Sequence, residues 1–467
     1  MLNPRILLPG GLLLGVVSVV LADSGFLPNL FPFHDPTGKV ETFSTDGKVD
    51  LTGPFFQSLG TNGRSCSTCH QASDAWSLSA ANAVIRFENS GGDGDKDPLF
   101  RTNDGSNCDN LDISTVDARR QAYSLLISHG LIRIPLPLPA VREFEVVNVS
   151  NQYGCNDTST LSMYRRPLPT TNLRFLSTVM FDGRESSTQT GTKPITTTGN
   201  NPGDLLFDLA HQSVDATLGH AQANPPGPTT QQQQQIVAFE MALSTAQDLD
   251  TVAGSLDANT ATGGPTAIPD IFFYVGINDP LGGNPQGIPF TPVIFTLFNQ
   301  TWADSKPQTV ERRQSILRGQ TLFNSRTFDI NNVGGLPSSL PGRTCGTCHD
   351  TFNIGNHSVS APLNIGVADL TNNPLDVSYL PVITLRNKAT NVEMSTTDPG
   401  RALITGKWED IGKFKGPILR GLAARAPYFH NGSAASLKDV IDFYNVRFNM
   451  NLTDGEKADL VAFLSAL

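Results

Sequence analysis

Two pentapeptides, Cys66-Ser67-Thr68-Cys69-His70 and Cys345-Gly346-Thr347-Cys348-His349, carry the residues best suited to chemistry in this chain. Two thiols three positions apart can form thioether bonds to the two vinyl groups of one porphyrin, and the adjacent histidine can then ligate its iron. Each pentapeptide is therefore a Cys-x-x-Cys-His attachment site. The pair implies two covalently bound haem c groups, held by Cys66, Cys69, His70, Cys345, Cys348 and His349. A zinc site made from two Cys-x-x-Cys pairs is the competing chemistry. It fits poorly, because the pairs lie far apart and each would need an unrelated reason to carry its histidine. A redox dithiol would need free thiols in a strand-to-helix setting that the flanking sequence does not offer.

The chain start agrees with attachment outside the cytoplasm, where bacteria form these thioethers. Arg5 precedes an apolar stretch running to Leu21, broken by Pro9, Ser18 and glycines, and Val20-Leu21-Ala22 resembles a cleavage site. The stretch is short for a bilayer span, which takes about 20 residues. Residues 1–22 are thus expected to be a secretory signal, giving a periplasmic protein that is not an integral membrane protein once cleaved. Cys108 and Cys155 remain outside the haem motifs, and an exported pair is expected to form a disulfide. The net charge of −10 argues against nucleic acid as a partner, which needs a basic face.

These sites need elements to hold them. With 42 glycines, 32 prolines and only 16% charged residues, the chain reads as modest helices joined by long ordered loops. Residues 118–128 show helical spacing. Residues 131–147 alternate around several prolines and read as an edge hairpin or extended ribbon. Residues 185–203 mark a loop insertion. Residues 205–222 read as a helix carrying His211, Gln212 and His220, and a second helix capped at Thr229 runs to about 246. Residues 250–305 form a long Pro/Gly-rich connection. Helices at 308–323, 435–444 and 453–467 complete the pattern. The expected fold is mainly α, with two cytochrome c-like haem domains, long irregular loops and little β. The expected division is a peroxidatic N-terminal domain with insertions, 23–300, and an electron-transfer domain, 301–467.

The block from Lys413-Phe414-Lys415-Gly416-Pro417 to Arg425-Ala426-Pro427-Tyr428-Phe429-His430-Asn431-Gly432 resembles the signature of the bacterial dihaem cytochrome c peroxidases and of the related maturase MauG. Phe181-Asp182-Gly183-Arg184 is similar to the Trp-Asp-Gly-Arg element that lies between the haems in that family. Motif order follows the family from about residue 55 to the end. Three positions depart from it. Phe181 replaces the inter-haem tryptophan but keeps an aromatic spacer. Arg166 falls where the family has an asparagine that helps to bind an inter-domain calcium. Arginine cannot coordinate a cation, so its own charge could substitute for the ion. Tyr444 stands where peroxidases place the methionine ligand of the second iron and where MauG has tyrosine. Tyrosinate favours ferric and higher states, whereas methionine favours ferrous iron. An ordinary helical packing role, with Met450 or nothing as ligand, is the alternative for Tyr444.

What the resemblance implies is a peroxidase that reduces hydrogen peroxide with electrons from a small c-type cytochrome or cupredoxin. The first haem, on His70, keeps an open site, while the second, on His349, relays or stores charge. Gln212 matches the family's distal glutamine. His220 stands near the expected distal glutamate and can carry a proton near neutrality, bind iron, or simply pack on a helix face. Glu240 is a rival acid in a helical Ala-Phe-Glu-Met-Ala setting. Arg184 and Arg420 are candidate partners for haem propionates, and His430 is expected to order the loop beside the second haem. Two other readings stay open: a MauG-like oxidase or oxygenase acting on a protein or organic substrate, and a non-enzymatic dihaem electron carrier.

Overall fold

The structure, a computed structural model, describes residues 25–185, 202–305 and 307–467. The expected signal and most of the expected 185–203 insertion lie outside the described residues. Both attachment motifs fold as single 3₁₀ turns, Cys66–Thr68 and Cys345–Thr347. In each, the histidine amide donates back to the first cysteine carbonyl at 3.1 Å, which keeps the pentapeptide compact. Ser65 and Thr68 exchange side-chain and backbone bonds around the first turn and satisfy donors that a short turn leaves over.

Each motif leans on an aromatic group and a helix ending in the same sequence. Behind His349, Phe323 lies 6.0 Å from the imidazole and packs edge-to-face with Phe295 and Phe463. Behind His70, Phe55 lies 6.3 Å from the imidazole and packs with Trp76 and Phe239. Phe239 and Phe463 occupy equivalent places: Val237-Ala-Phe-Glu-Met-Ala-Leu243 is repeated as Val461-Ala-Phe-Leu-Ser-Ala-Leu467. Fully burying such a ring is worth about 1.5–3 kcal/mol, so these groups anchor their motifs firmly. The helix Val310–Ser325 crosses Asp454–Ser465 so closely that a Cβ at Gly319 would stand 2.0 Å from the Asp459 carbonyl oxygen. Only glycine permits that crossing.

The helical readings hold with shifted ends. Helices run Pro202–Gly219, Thr230–Ala242 with Thr229 as cap, Val310–Ser325, Leu437–Arg447 and Asp454–Ser465. The 118–128 segment is two helices, Val116–Ala122 and Ser124–His129, parted at Tyr123. No helix among the described residues is long and apolar enough to cross a membrane.

The expectation of a mainly α chain with little β is overturned. Beside ten α-helices, the described residues hold thirteen strands in five sheets. Ile132–Pro137 and Phe144–Ser150 do not pair with each other, so the expected 131–147 hairpin is absent. The first pairs with Thr160–Arg165, and the second pairs with Val382–Asn387 from the other end of the chain. The helix expected to reach 246 stops at Ala242, and Leu243–Asp250 pairs instead with Gly38–Ser44. Extended segments rich in β-branched residues satisfy their backbone groups by long-range pairing. The extended-ribbon reading of 131–147 therefore holds, but with partners that no local signal marks. The pairing of 144–150 with 382–387 also crosses the expected boundary at 300/301.

Cys108 and Cys155 form the expected disulfide, 47 residues apart. Closing a loop of that length removes denatured-state entropy worth about 4 kcal/mol. The Cys108→Ser/Cys155→Ser double variant is expected to lose about that much stability, read as a lower urea midpoint with both haem motifs intact.

Candidate haem cavities

The first motif opens onto a cavity with about 1440 Å³ of empty space, counting its mouth. Cys66, Cys69 and His70 line it, and the two thiols are unpaired. His70 Nδ1 donates to the Trp76 carbonyl at 3.1 Å, which fixes the ring and leaves Nε2 as the ligating nitrogen. Burial lowers the imidazole to about 4, so it stays neutral and able to coordinate. Gln212, from the Pro202–Gly219 helix, and His220, just past its end, line the same cavity. His220 Nδ1 bonds Asp104 at 2.7 Å, and Asp104 in turn pairs with buried Arg64 at 2.6 Å.

Glu240 also lines this cavity. It is buried, its Oε2 has no hydrogen-bond partner, and burial pushes its carboxyl up to about 8. Burial, and secondarily the nearby Glu240 carboxylate, raise the Cys66 thiol. The equivalent residue in the repeated helix, Leu464, lines the second cavity. The repeat was the sequence signal that would have located Glu240 as a cavity residue.

The second motif opens onto a larger cavity, with about 1750 Å³ of empty space. Cys345, Cys348 and His349 line it, and His349 Nδ1 donates to the Gly355 carbonyl at 2.6 Å. Tyr444 and Met450, the two candidate ligands of the second iron, both line it as well. Burial, with the Cys345 and Cys348 thiols nearby, pushes the Tyr444 phenol up. His430 lines the cavity from a stack on Phe414 at 3.8 Å.

Arg166, Phe181 and Lys415 belong to both linings, so the two cavities share a wall. Arg166 donates to the Leu78 carbonyl at 2.8 Å and also to the Pro427 carbonyl. Burial lowers Arg166 to about 9, Lys415 to about 8, and Arg425, in the second cavity, to about 10. Among the described residues none of the three makes an ion pair with a carboxylate. Three buried cations without anions, two free thiols per cavity and a free imidazole nitrogen in each form a donor set that fits haem c. The two arginines singled out from sequence stand differently. Arg184 lines the first cavity, but Asp182 takes its guanidinium at 2.8 Å. Arg420 lines neither cavity; it borders a cleft with Leu297 and donates to the Asn353 carbonyl at 3.1 Å. Its guanidinium is buried and its Nε has no hydrogen-bond partner.

Asp182 ties the wall together. Buried Arg165 bonds Asp182 at 2.6 Å and Asp398 at 2.7 Å, joining the two parts of the chain beside the first cavity. Burial opposes charge on Asp182, but the Arg184 and Arg165 guanidiniums overcome it and hold the carboxyl below the usual range.

No family model matches the chain. Cytochrome-c peroxidase IdrP2 of Denitromonas iodatirespirans is 40% identical over 97 residues, 18% of this chain and 26% of that protein. Cytochrome-c peroxidase IdrP2 of Pseudomonas sp. (strain SCT) is 33% identical over 138 residues, 26% of this chain and 35% of that protein. Cytochrome c551 peroxidase of Pseudomonas aeruginosa is 27% identical over 145 residues, 31% of this chain and 36% of that protein. The matches thus span about a quarter to a third of these relatives' length. A solved MauG-like protein associated with microbial copper homeostasis superposes with a TM-score of 0.37 at 16% identity, over 89% of this chain and 85% of that one. Over these matched stretches the chain is similar to bacterial cytochrome-c peroxidases.

Two outcomes follow from this geometry. Asp398→Asn leaves Arg165 short of a buried counter-charge and is expected to cost about 3–5 kcal/mol in urea unfolding. Glu240 binds its proton more tightly folded than unfolded, so it weakens the fold progressively as pH rises from its unfolded value of 4.5 to about 8. Glu240→Gln is expected to remove that slope, at most about 1.4 kcal/mol per pH unit, when unfolding midpoints are compared across the window.

Proposed function

We propose that the chain is an exported dihaem c-type peroxidase that reduces hydrogen peroxide with electrons from a small c-type cytochrome or cupredoxin. The observation that carries this reading is His220 in the wall of the first cavity, its ring fixed by Asp104 at 2.7 Å. When bound there, haem supplies a redox centre at which peroxide can be reduced. His70 would hold the iron through Nε2, with Cys66 and Cys69 as covalent tethers. His220, its Nδ1 proton given to Asp104, keeps the Nε2 lone pair to take a proton from one peroxide oxygen and return it to the other. Gln212 offers an amide to orient the peroxide. In the second cavity, Cys345, Cys348 and His349 would hold the partner haem. Phe181 is the aromatic spacer in both walls. Arg166, Lys415 and Arg425 would meet the propionates. Arg166 also supplies charge at the Leu78 and Pro427 carbonyls, where the family resemblance has calcium. We assign 23–300 and 301–467 to the peroxidatic and electron-transfer parts.

The test is peroxide-dependent oxidation of reduced cytochrome c by the haem-loaded protein. His220→Gln is expected to lower kcat/KM by roughly a hundredfold or more, with haem content unchanged. An unchanged kcat/KM would remove the acid–base role. Wild-type protein that shows no turnover and a wholly low-spin ferric spectrum would support an electron carrier.

Tyr444 in the second cavity favours a MauG-like oxidase as the second reading. Ligation by Tyr444 predicts that Tyr444→Met raises the second haem's midpoint potential and changes its ferric spectrum. A potential and spectrum identical to wild type would mean that Tyr444 only packs.

A further inference from the structure

Beside the second motif lies a cluster that haem attachment does not use. Asp350 follows His349 directly, and its buried carboxylate meets that of Asp279 and the imidazole of His357. One potential ligand atom from each of the three lies within 4.8 Å of the others. The cluster is built from two clamped loops. Gly276 N donates to the Ser358 carbonyl at 3.0 Å, and Asn278 Nδ2 donates to the Asp350 carbonyl at 3.3 Å. The carboxylates are oriented by backbone amides: Asp350 Oδ1 accepts from Ser358 N at 2.6 Å, and Asp279 Oδ2 from Gly283 N at 2.5 Å.

Two polar atoms are left over inside this arrangement. Asp350 Oδ2 and His357 Nδ1 are buried and have no hydrogen-bond partner. The neighbour of Asp350 Oδ2 across the cluster is His357 Nε2, at 3.6 Å, too far for a hydrogen bond. Among the described residues no lysine or arginine pairs with either carboxylate. Two carboxylates in a dry place without a cation, one of them with an unpartnered oxygen, are costly unless something neutralises them. A divalent cation between Asp350 Oδ2 and His357 Nε2 would neutralise the carboxylates and take up that oxygen. The imidazole narrows its class: calcium and magnesium take oxygen ligands, whereas zinc and manganese accept mixed imidazole and carboxylate sets.

We propose that Asp279, Asp350 and His357 form a binding site for a divalent transition cation of the zinc or manganese type, separate from both haem irons. Nothing in this proposal depends on peroxidase activity. His357 also lines the second cavity, so the cation would sit at the edge of that haem's pocket.

The test uses the haem-loaded full chain, stripped with a chelator, incubated separately with zinc, manganese and calcium chlorides, and passed through gel filtration. Metal is then measured by mass spectrometry against haem absorbance. About one equivalent of zinc or manganese per chain is expected to be retained. His357→Ala and Asp279→Asn are each expected to reduce it at least tenfold, and Asp279→Asn, outside the haem cavity, is expected to leave the haem spectrum unchanged. No retained metal in wild type, equal retention by the variants, or retention of calcium alone would each overturn the proposal. Pulsed electron paramagnetic resonance of the manganese-loaded wild type decides the matter even if the variants fail to fold. Nitrogen coupling from an imidazole supports the site, and its absence refutes it.

Discussion

Everything in the wall between the two cavities is referred to one buried charge arrangement, Arg165 held between Asp182 and Asp398. Neither carboxylate would be tolerated there alone, and neither would the guanidinium, because desolvating one such ion costs several kcal/mol. Together they are mutually required. Asp182 comes from the Phe181-Asp182-Gly183-Arg184 element and Asp398 from a segment more than two hundred residues later. Arg165 thereby sets where Phe181 stands, and the next residue, Arg166, is carried into the same wall. Arg401 adds a bond to the Asp182 carbonyl at 3.0 Å, so the backbone at this junction is fixed as well as the charges.

The same wall holds cations of a different kind. Arg166, Lys415 and Arg425 are buried too, but among the described residues no carboxylate pairs with them. Burial drives their affinity for protons down, and the charge of Arg425 adds to it at Arg166 and Lys415. A fold carries such an imbalance when an external anion completes it, and haem brings two carboxylates. One part of the wall is thus complete in the polypeptide, and the other is the part that the proposed haem propionates would complete.

How much of this could be read beforehand depended on the range of each interaction. The haem residues were legible because Cys-x-x-Cys-His packs its whole chemistry into five positions. Helices such as 310–325 and 454–465 were legible because their spacing and caps are local. The sheets were not. Phe144–Ser150 reads as an extended ribbon but carries no mark of its partner at Val382–Asn387. Glu240 was legible as a helical residue but not as a lining group, because its exposure to the cavity depends on how Phe239 packs on Phe55. The place of Arg420 outside both linings was not legible, because a block resembling a family signature says nothing about which side of the chain each arginine faces.

The sequence by itself determined that two porphyrins can be attached, at which cysteines and histidines, and that Cys108 and Cys155 were available to pair. Those are covalent or contact-range facts, settled by residue type and spacing. Tertiary structure alone decided that the two cavities share a wall, that His220 is aimed by Asp104, that Tyr444 and Met450 line one cavity, and that Asp279 meets Asp350 and His357. Each of these joins residues far apart in the chain. Burial strengthens the charges in such a meeting and makes any unpaired one costly, and neither burial nor the meeting itself is written in local order.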